Sequence, residues 1–405
     1  MALEFRPARP EEMERFAWVD AVGFGQSPTR EALDLTINGA LKPEETLCAV
    51  DDGKIVSQMG IFPFRMRWNG ATIEAGGVTA VATLPTHRRR GYLRTMMTRA
   101  LGEMRDHGQS VAVLWASMAA IYQRYGYGLG FRRQEYTFDP RLLSYVDLVP
   151  STGQVRLIPT DEAAGALAEV YECFAAPRTL MVERTPEWWK WQFYYWPPDI
   201  GNLLAVYEED GEAQGFVAYN VREDRWQAAS GPRQIVRAWQ FVWTTPAAHA
   251  GLVRYLAGYD LAKQVEISGL GVDDPLIFQV QEPRRCGQHL SDGLWVRMVD
   301  VKRALEQRGY AADGRLRIGL QDEICPWNSG VWEVVAEDGR AAVREVQNEP
   351  ELSLSPRALA SLASGCATAS ALARAGLVQA ESQAVLGGAD RLFALDHAPL
   401  CIDSF

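Results

Sequence analysis

Apolar residues recur at Leu93, Met96, Met97, Ala100, Leu101 and Met104, a spacing that puts them on one helix face and predicts an anchored helix there. Directly before it, an extended apolar run ends at Leu84 and turns through the loop Pro85–Gly91. Upstream, the pattern predicts a helical start over residues 10–34, then strands over 46–56 and 59–68. Asn69 and Gly70 turn that last strand into the run ending at Leu84. Downstream, Val111–Trp115 reads as a buried strand, residues 121–126 as a short helix ended by Gly126, and 131–138 as the strand that closes the unit.

The same order recurs more weakly further on. Strands over 203–208 and 215–221 flank the turn Asp210–Gly211. A third covers 235–243, and Thr245–Pro246 opens a helix carrying Leu252, Val253 and Leu256. No arginine/glycine loop precedes that helix. The last third predicts a helix at 301–307 and strands at 316–323, 330–335 and 341–346. A helix then enters through Ser355–Pro356, and another covers 368–374. These patterns divide the chain into units at 1–150, 151–297 and 298–405, with a linker near Val149–Gly153. The aromatic run Trp188–Trp196 fits neither period and reads as interdomain core in preference to the wall of a substrate cleft.

Composition removes several classes. With 405 residues, 47% hydrophobic and 23% charged, the chain is globular and long enough for two or three domains. It has no uninterrupted apolar run near the roughly 18 residues a membrane helix needs, and its amino terminus lacks a signal-peptide core, so a cytoplasmic location and no membrane partner are expected. Six cysteines without a Cys-x-x-Cys pair and five histidines without ligand spacing point to reduced thiols and no metal. A net charge of −10 disfavours nucleic acid and suits a cationic small molecule; Asp20 and Asp403 are the carboxylates nominated for its pocket.

The junction at residues 81–94 is where chemistry is expected. Backbone N–H groups in a helix's first turn lack intrahelical partners and carry the positive end of the dipole. Arg88, Arg89, Arg90 and Arg94 surround them with further donors. Gly91 admits close backbone approach, so a pyrophosphate is the expected ligand.

This segment resembles the acetyl-coenzyme A loop of the GNAT superfamily, Arg/Gln-x-x-Gly-x-Gly/Ala. Arg88 and Gly91 match and Leu93 departs. The wording from Pro85 to Gly91 with Leu93–Arg94 is closer to one branch, the enhanced-intracellular-survival (Eis) type acetyltransferases. Tyr122–Tyr127 likewise has the superfamily's Tyr-x-x-x-Gly-Phe/Tyr form.

The resemblance implies an α/β fold with mixed sheets: two tandem GNAT folds, the second without its cofactor loop, and a C-terminal sterol-carrier-protein-like α/β domain. It implies acetyl-CoA as co-substrate, bound by Val81, Ala82, Thr83, Arg88, Arg89, Arg90, Gly91, Tyr92, Leu93, Arg94, Ser117 and Met118. Tyr122 becomes the general acid toward the departing thiolate. A backbone N–H of residues 81–83 becomes the donor to the carbonyl oxygen, and the main-chain carboxylate of Phe405 the base, its ordinary pKa of about 3.3–3.7 calling for burial or a water relay. The acceptor is expected to be a primary amine of an aminoglycoside- or polyamine-like molecule, and the assembly a homo-oligomer, a hexamer by family. The alternatives are a protein or peptide lysine N-acetyltransferase, and a lipid-binding protein with a vestigial acetyltransferase unit.

Overall fold

The computed structural model describes residues 3–37, 39–145, 152–194, 202–223 and 233–405. They form two compact units. The first comprises Met1–Phe131, Gly293–Asp396 and Phe405; the second comprises Arg132–Asp292 and His397–Ser404.

The first unit begins with β1 (Glu4–Arg6), α1 (Met13–Gly23), α2 (Arg30–Ile37) and β2 (Thr46–Asp51). A long hairpin follows, β3 (Lys54–Trp68) and β4 (Ala71–Thr83). Then come α3 (Tyr92–Asp106), β5 (Val111–Trp115), α4 (Ala119–Gln123) and β6 (Gly128–Leu129). The sheet runs β1-β2-β3-β4-β5, then the strand Leu294–Met298, then β6. Asn69 and Gly70 both take positive φ, 53° and 79°, which is the twist a two-residue hairpin turn needs. The strand expected over 46–56 is broken by a second such turn at Asp52 and Gly53, φ 49° and 73°, so β2 ends at Asp51 and β3 starts at Lys54. The turn is carried by Asp52–Gly53 within the polar run Asp51–Lys54, a dipeptide suited to a two-residue hairpin.

Helix α3 buries Met96, Met97, Ala100, Leu101 and Met104 as its spacing predicts, each large side chain contributing roughly 1.5–3 kcal/mol. Leu93 is only half buried. Tyr92 takes the leading place in the stripe and meets Phe5 edge-on at 6.3 Å.

A five-stranded sheet completes this unit, in the order Arg340–Val346, Gly330–Glu337, Gly314–Leu320, Leu352–Leu354, Val378–Ala380. Helices Val301–Gln307, Pro356–Ala363, Ala369–Arg374 and Gln383–Leu392 accompany it. Ser355 caps its helix as the sequence predicts, accepting from the N–H of Ala358; Thr368, read as the first residue of the next helix, instead caps it, accepting from the N–H of Ala371. The strand expected over 316–323 lies two to three residues earlier, because Asp322 leaves the ladder to cap a turn, accepting from the N–H groups of Ile324 and Cys325.

The second unit holds a seven-stranded sheet in the order Gly287–Asp292, Arg132–Phe138, Ala262–Leu270, Gln234–Trp243, Glu212–Glu223, Leu203–Glu209, Gln154–Ile158. Thr245 caps the helix Pro246–Ala257, which packs Ala248, Leu252, Val253 and Leu256 on the sheet. The run read as closing the first unit, 131–138, therefore serves the second sheet. The segment Leu294–Met298 serves the first, pairing antiparallel with β5 and β6.

Most of the aromatic run lies in the helix Pro186–Tyr194, with Trp188, Trp189 and Phe193 buried and Trp189 against Tyr171, Phe193 and Phe216 inside the second unit. Residues 195 and 196 of that run, and residues 149–151 of the expected linker, lie outside the described residues.

Candidate active site

Strand β4 pairs in parallel with β5 only from Ala75 to Val78, while its pairing with β3 continues to Thr83. A bulge at Ala80, φ 48°, marks the departure. Past Val78 the two strands no longer pair. The edge of Val81, Ala82 and Thr83 that faces β5 is thus free of ladder partners, leaving main-chain donors for a ligand in the cleft. Ala82 is buried, and Val81 and Thr83 are half exposed.

The chain leaves β4 through the one-turn helix Pro85–His87 and reaches α3 with Gly91 as its N-cap at φ 83°. A Cβ on Gly91 would meet nothing within 4 Å, so the helix start faces open space. The four arginines divide. Arg88 donates from Nη2 to the Gly23 carbonyl at 2.9 Å and from Nε to the Thr83 carbonyl at 3.4 Å, fastening the end of α1 to the end of β4. Arg90 donates to the Thr86 carbonyl at 3.1 Å and lies 4.0 Å from Asp51. Arg89 and Arg94 are exposed and make no hydrogen bond or ion pair among the described residues, and Arg89 sits at φ 64°, uncommon for a side chain with a Cβ. These two guanidiniums are the ones free to take a phosphate.

Next to that edge, β5 ends at Trp115, and Ser117 and Met118 lie exposed at the entrance of α4, Met118 as its N-cap. Tyr122 follows, 5% exposed, its ring edge-on to Tyr127 at 6.0 Å. Burial pushes the Tyr122 hydroxyl up to about 12, so it holds its proton at neutral pH. Tyr127 is fully buried, its hydroxyl on the Met97 sulfur at 3.7 Å, which ties the tyrosine turn to α3.

The turn that carries Tyr122 is gripped from below. Gly126 is left-handed at φ 85°, and a Cβ there would stand 2.7 Å from the Arg297 guanidinium and 3.0 Å from Pro356. At Gly128 a Cβ would strike the Arg357 carbonyl. The Arg357 side chain donates to Gln123 at 3.1 Å. Arg297 is wholly buried on the strand Leu294–Met298 and donates to Asp322 at 2.5 Å. One charged residue in that otherwise apolar strand is the sequence signal by which Arg297 could have been found.

Of the two nominated carboxylates, Asp403 is not a pocket residue. It is fully buried and accepts from Arg184 Nε at 2.8 Å, Trp188 Nε1 at 2.9 Å and Tyr171 Oη at 3.1 Å, an internal anchor of the second unit. Ser404 is held beside it through the Gln192 side chain. Asp20 is different: it lies on α1, and burial raises its carboxyl to about 6. The Phe405 ring packs edge-on against Phe64 of β3 at 5.0 Å. Among the described residues no group of three or more His, Cys, Asp or Glu is placed to hold a metal, and no helix is long and apolar enough to cross a membrane.

Comparison with known proteins matches each region. The acetyltransferase (GNAT) domain family covers residues 4–130, a second acetyltransferase (GNAT) domain family covers 180–299, and the sterol carrier protein domain family covers 301–402. An uncharacterized N-acetyltransferase of Streptomyces avermitilis is 33% identical over 359 residues, 86% of either chain. The N-acetyltransferase Eis of Mycobacterium tuberculosis is 28% identical over 376 residues, 88% of either chain. Among solved structures, Eis1 of Mycobacterium abscessus superposes with a TM-score of 0.86 at 28% identity, covering 99% of this chain and 100% of its own.

Proposed function

Because the chain belongs to the Eis-type N-acetyltransferases of the GNAT superfamily, two GNAT domains followed by a sterol-carrier domain, we propose that it moves the acetyl group of acetyl-CoA to a primary amine of a cationic small molecule. The observation that carries this reading is the conjunction of two uncommitted guanidiniums, Arg89 and Arg94, at an open helix N-terminus with a strand edge beside it that is unpaired toward β5. A diphosphate and a thioester need those two features side by side. The unpaired edge supplies main-chain donors for the pantetheine arm and the thioester oxygen, and the guanidiniums supply charge for the pyrophosphate.

The transfer is direct. The amine attacks as the neutral base, so its proton goes to an acceptor, which the family resemblance assigns to the Phe405 main-chain carboxylate through water. As the carbon–sulfur bond breaks, Tyr122 donates to the sulfur. A phenol raised to about 12 is a permanent donor at neutral pH, while a thiol near 8.5 is the stronger acid. The role of Tyr122 is therefore to neutralise charge as it develops on sulfur, completing proton transfer only in step with loss of the amine's proton. In this reading the net acidity of the chain favours polyamine- or aminoglycoside-like acceptors over lysine in acidic peptides, and the active species is a homo-oligomer, a hexamer by family resemblance.

The test is release of free coenzyme A from acetyl-CoA across a panel of polyamines, aminoglycosides and lysine peptides. Saturable, amine-dependent release with the cationic small molecules is expected. Release only with peptides would move the protein to the protein-acetyltransferase reading, and binding of acetyl-CoA with no release would remove the enzymatic one.

A further inference from the structure

Helix α1 lies over the α1-facing side of the first sheet, and its residues Phe16, Asp20 and Gly23, four and then three apart, form one stripe. The stripe can be placed on the sheet residue by residue. A Cβ on Gly23 would stand 2.8 Å from the Ala82 Cβ, so Ala82 points toward α1. Ala82 is directly opposite Gln58 in the β3/β4 ladder, and cross-strand partners share a face, so Gln58 points the same way. Alternation along β3 then puts Gly60, Phe62 and Phe64 on that face too, and Gly60 indeed faces Leu41, which follows α2. The Phe405 ring rests on Phe64.

In this layer the Gln58 amide and one oxygen of the Asp20 carboxyl have been taken out of water without a hydrogen-bond partner among the described residues. Gln58 is 0% exposed, and neither its Oε1 nor its Nε2 has a hydrogen-bond partner among the described residues. The Oδ1 atom of Asp20 is likewise buried and unpartnered. Buried amides and carboxylates in native proteins are nearly always satisfied, and two exceptions on one face call for a missing partner. The nearby guanidiniums do not serve: Arg15 donates to the Ile55 carbonyl and Arg88 to the Gly23 and Thr83 carbonyls. Burial without a counter-charge is what raises the Asp20 carboxyl. A carboxylate oxygen and an amide oxygen together ask for a cationic donor with several protons, which an ammonium group is.

We propose that Asp20 and Gln58 form a subsite for a second, non-reacting ammonium of the acceptor, so that the preferred substrates are amines bearing at least two positive charges. Its wall includes Ala82, so the subsite adjoins the strand segment read as the acyl site. The inference rests on the acetyltransferase reading, and its test separates the two.

The full-length protein is assayed for coenzyme A release with 1,5-diaminopentane and with pentylamine, which differ by one ammonium. Wild type should favour the diamine in kcat/KM by about 10- to 100-fold, the range for one charge-assisted contact. Asp20→Asn should abolish most of that preference while leaving the Michaelis constant for acetyl-CoA unchanged. Gln58→Met, apolar and close in volume, should reduce it in the same direction; if that variant does not fold, Asp20→Asn decides alone. A diamine preference that survives in Asp20→Asn, or no preference in an active wild type, would overturn the subsite. A wild type that releases no coenzyme A with either amine or any other acceptor would overturn the acetyltransferase reading instead.

Discussion

Replacing Asp20 by Asn should make the protein more stable, and only above the acid range. The carboxyl ordinarily titrates at 3.8, and burial moves it to about 6 in the folded chain. Below pH 4 both folded and unfolded chains hold the proton and the group is neutral to stability. Between pH 4 and 6 the unfolded chain ionises while the native one does not, so stability falls as pH rises; above 6 the whole penalty is present. At 1.36 kcal/mol per pH unit, the step from 3.8 to about 6 corresponds to about 3 kcal/mol. Asn keeps the shape and removes the charge. Asp20→Asn should therefore gain about 1–3 kcal/mol over wild type at pH 7.5, near 2–4 °C in melting temperature per kcal/mol for a unit of this size, and almost nothing at pH 4. Thermal melts of both proteins at the two pH values give the answer, since titration of every other group cancels in the difference. An Asn variant that is no more stable at pH 7.5 than wild type, or that gains equally at pH 4, would show that the Asp20 carboxylate is not a buried, uncompensated charge. The ammonium subsite would then lose its electrostatic basis.

Three further outcomes follow from the site. Arg89→Ala with Arg94→Ala should raise the Michaelis constant for acetyl-CoA about tenfold or more and barely change that for the amine, read from initial rates with each substrate varied. Adding one glycine after Phe405 should nearly abolish turnover with acetyl-CoA binding intact by calorimetry, whereas Phe405→Leu should keep much of the activity; a fully active extended protein would assign the base elsewhere. Arg297→Met should cost about 3–5 kcal/mol, because it strands the buried Asp322 carboxylate, and denaturant unfolding would reveal it as a lower midpoint.

What could be read from the sequence was local. Asn69–Gly70, Thr245–Pro246 and Ser355–Pro356 announce their turns and caps because a positive φ, or a side-chain oxygen accepting from a helix N–H, is decided by the residues in place. The face of α3 and the arginine loop before it were legible for the same reason. Sheet membership was not, since pairing joins residues far apart: nothing within 132–138 says that it pairs with 262–270 and 287–292, nor does 294–298 announce that it fills the gap between β5 and β6. Asp403 and Asp20 look alike in the sequence, yet Arg184 compensates one while no partner among the described residues meets Oδ1 of the other. Gln58 carried no distinctive signal, being one of several polar residues in β3, and its lack of partners among the described residues shows only once the strand is paired and covered.

The most direct test of the account follows both products at once, coenzyme A by its thiol and the acetylated amine by mass spectrometry, in wild type and in Tyr122→Phe. Wild type should form the two in equal amounts. Tyr122→Phe should bind acetyl-CoA normally and lose turnover by roughly ten- to a thousandfold, since the ring remains and only the donor to sulfur is gone. Thiol release without acetylated amine, or a Tyr122→Phe protein as fast as wild type, would contradict the site as described.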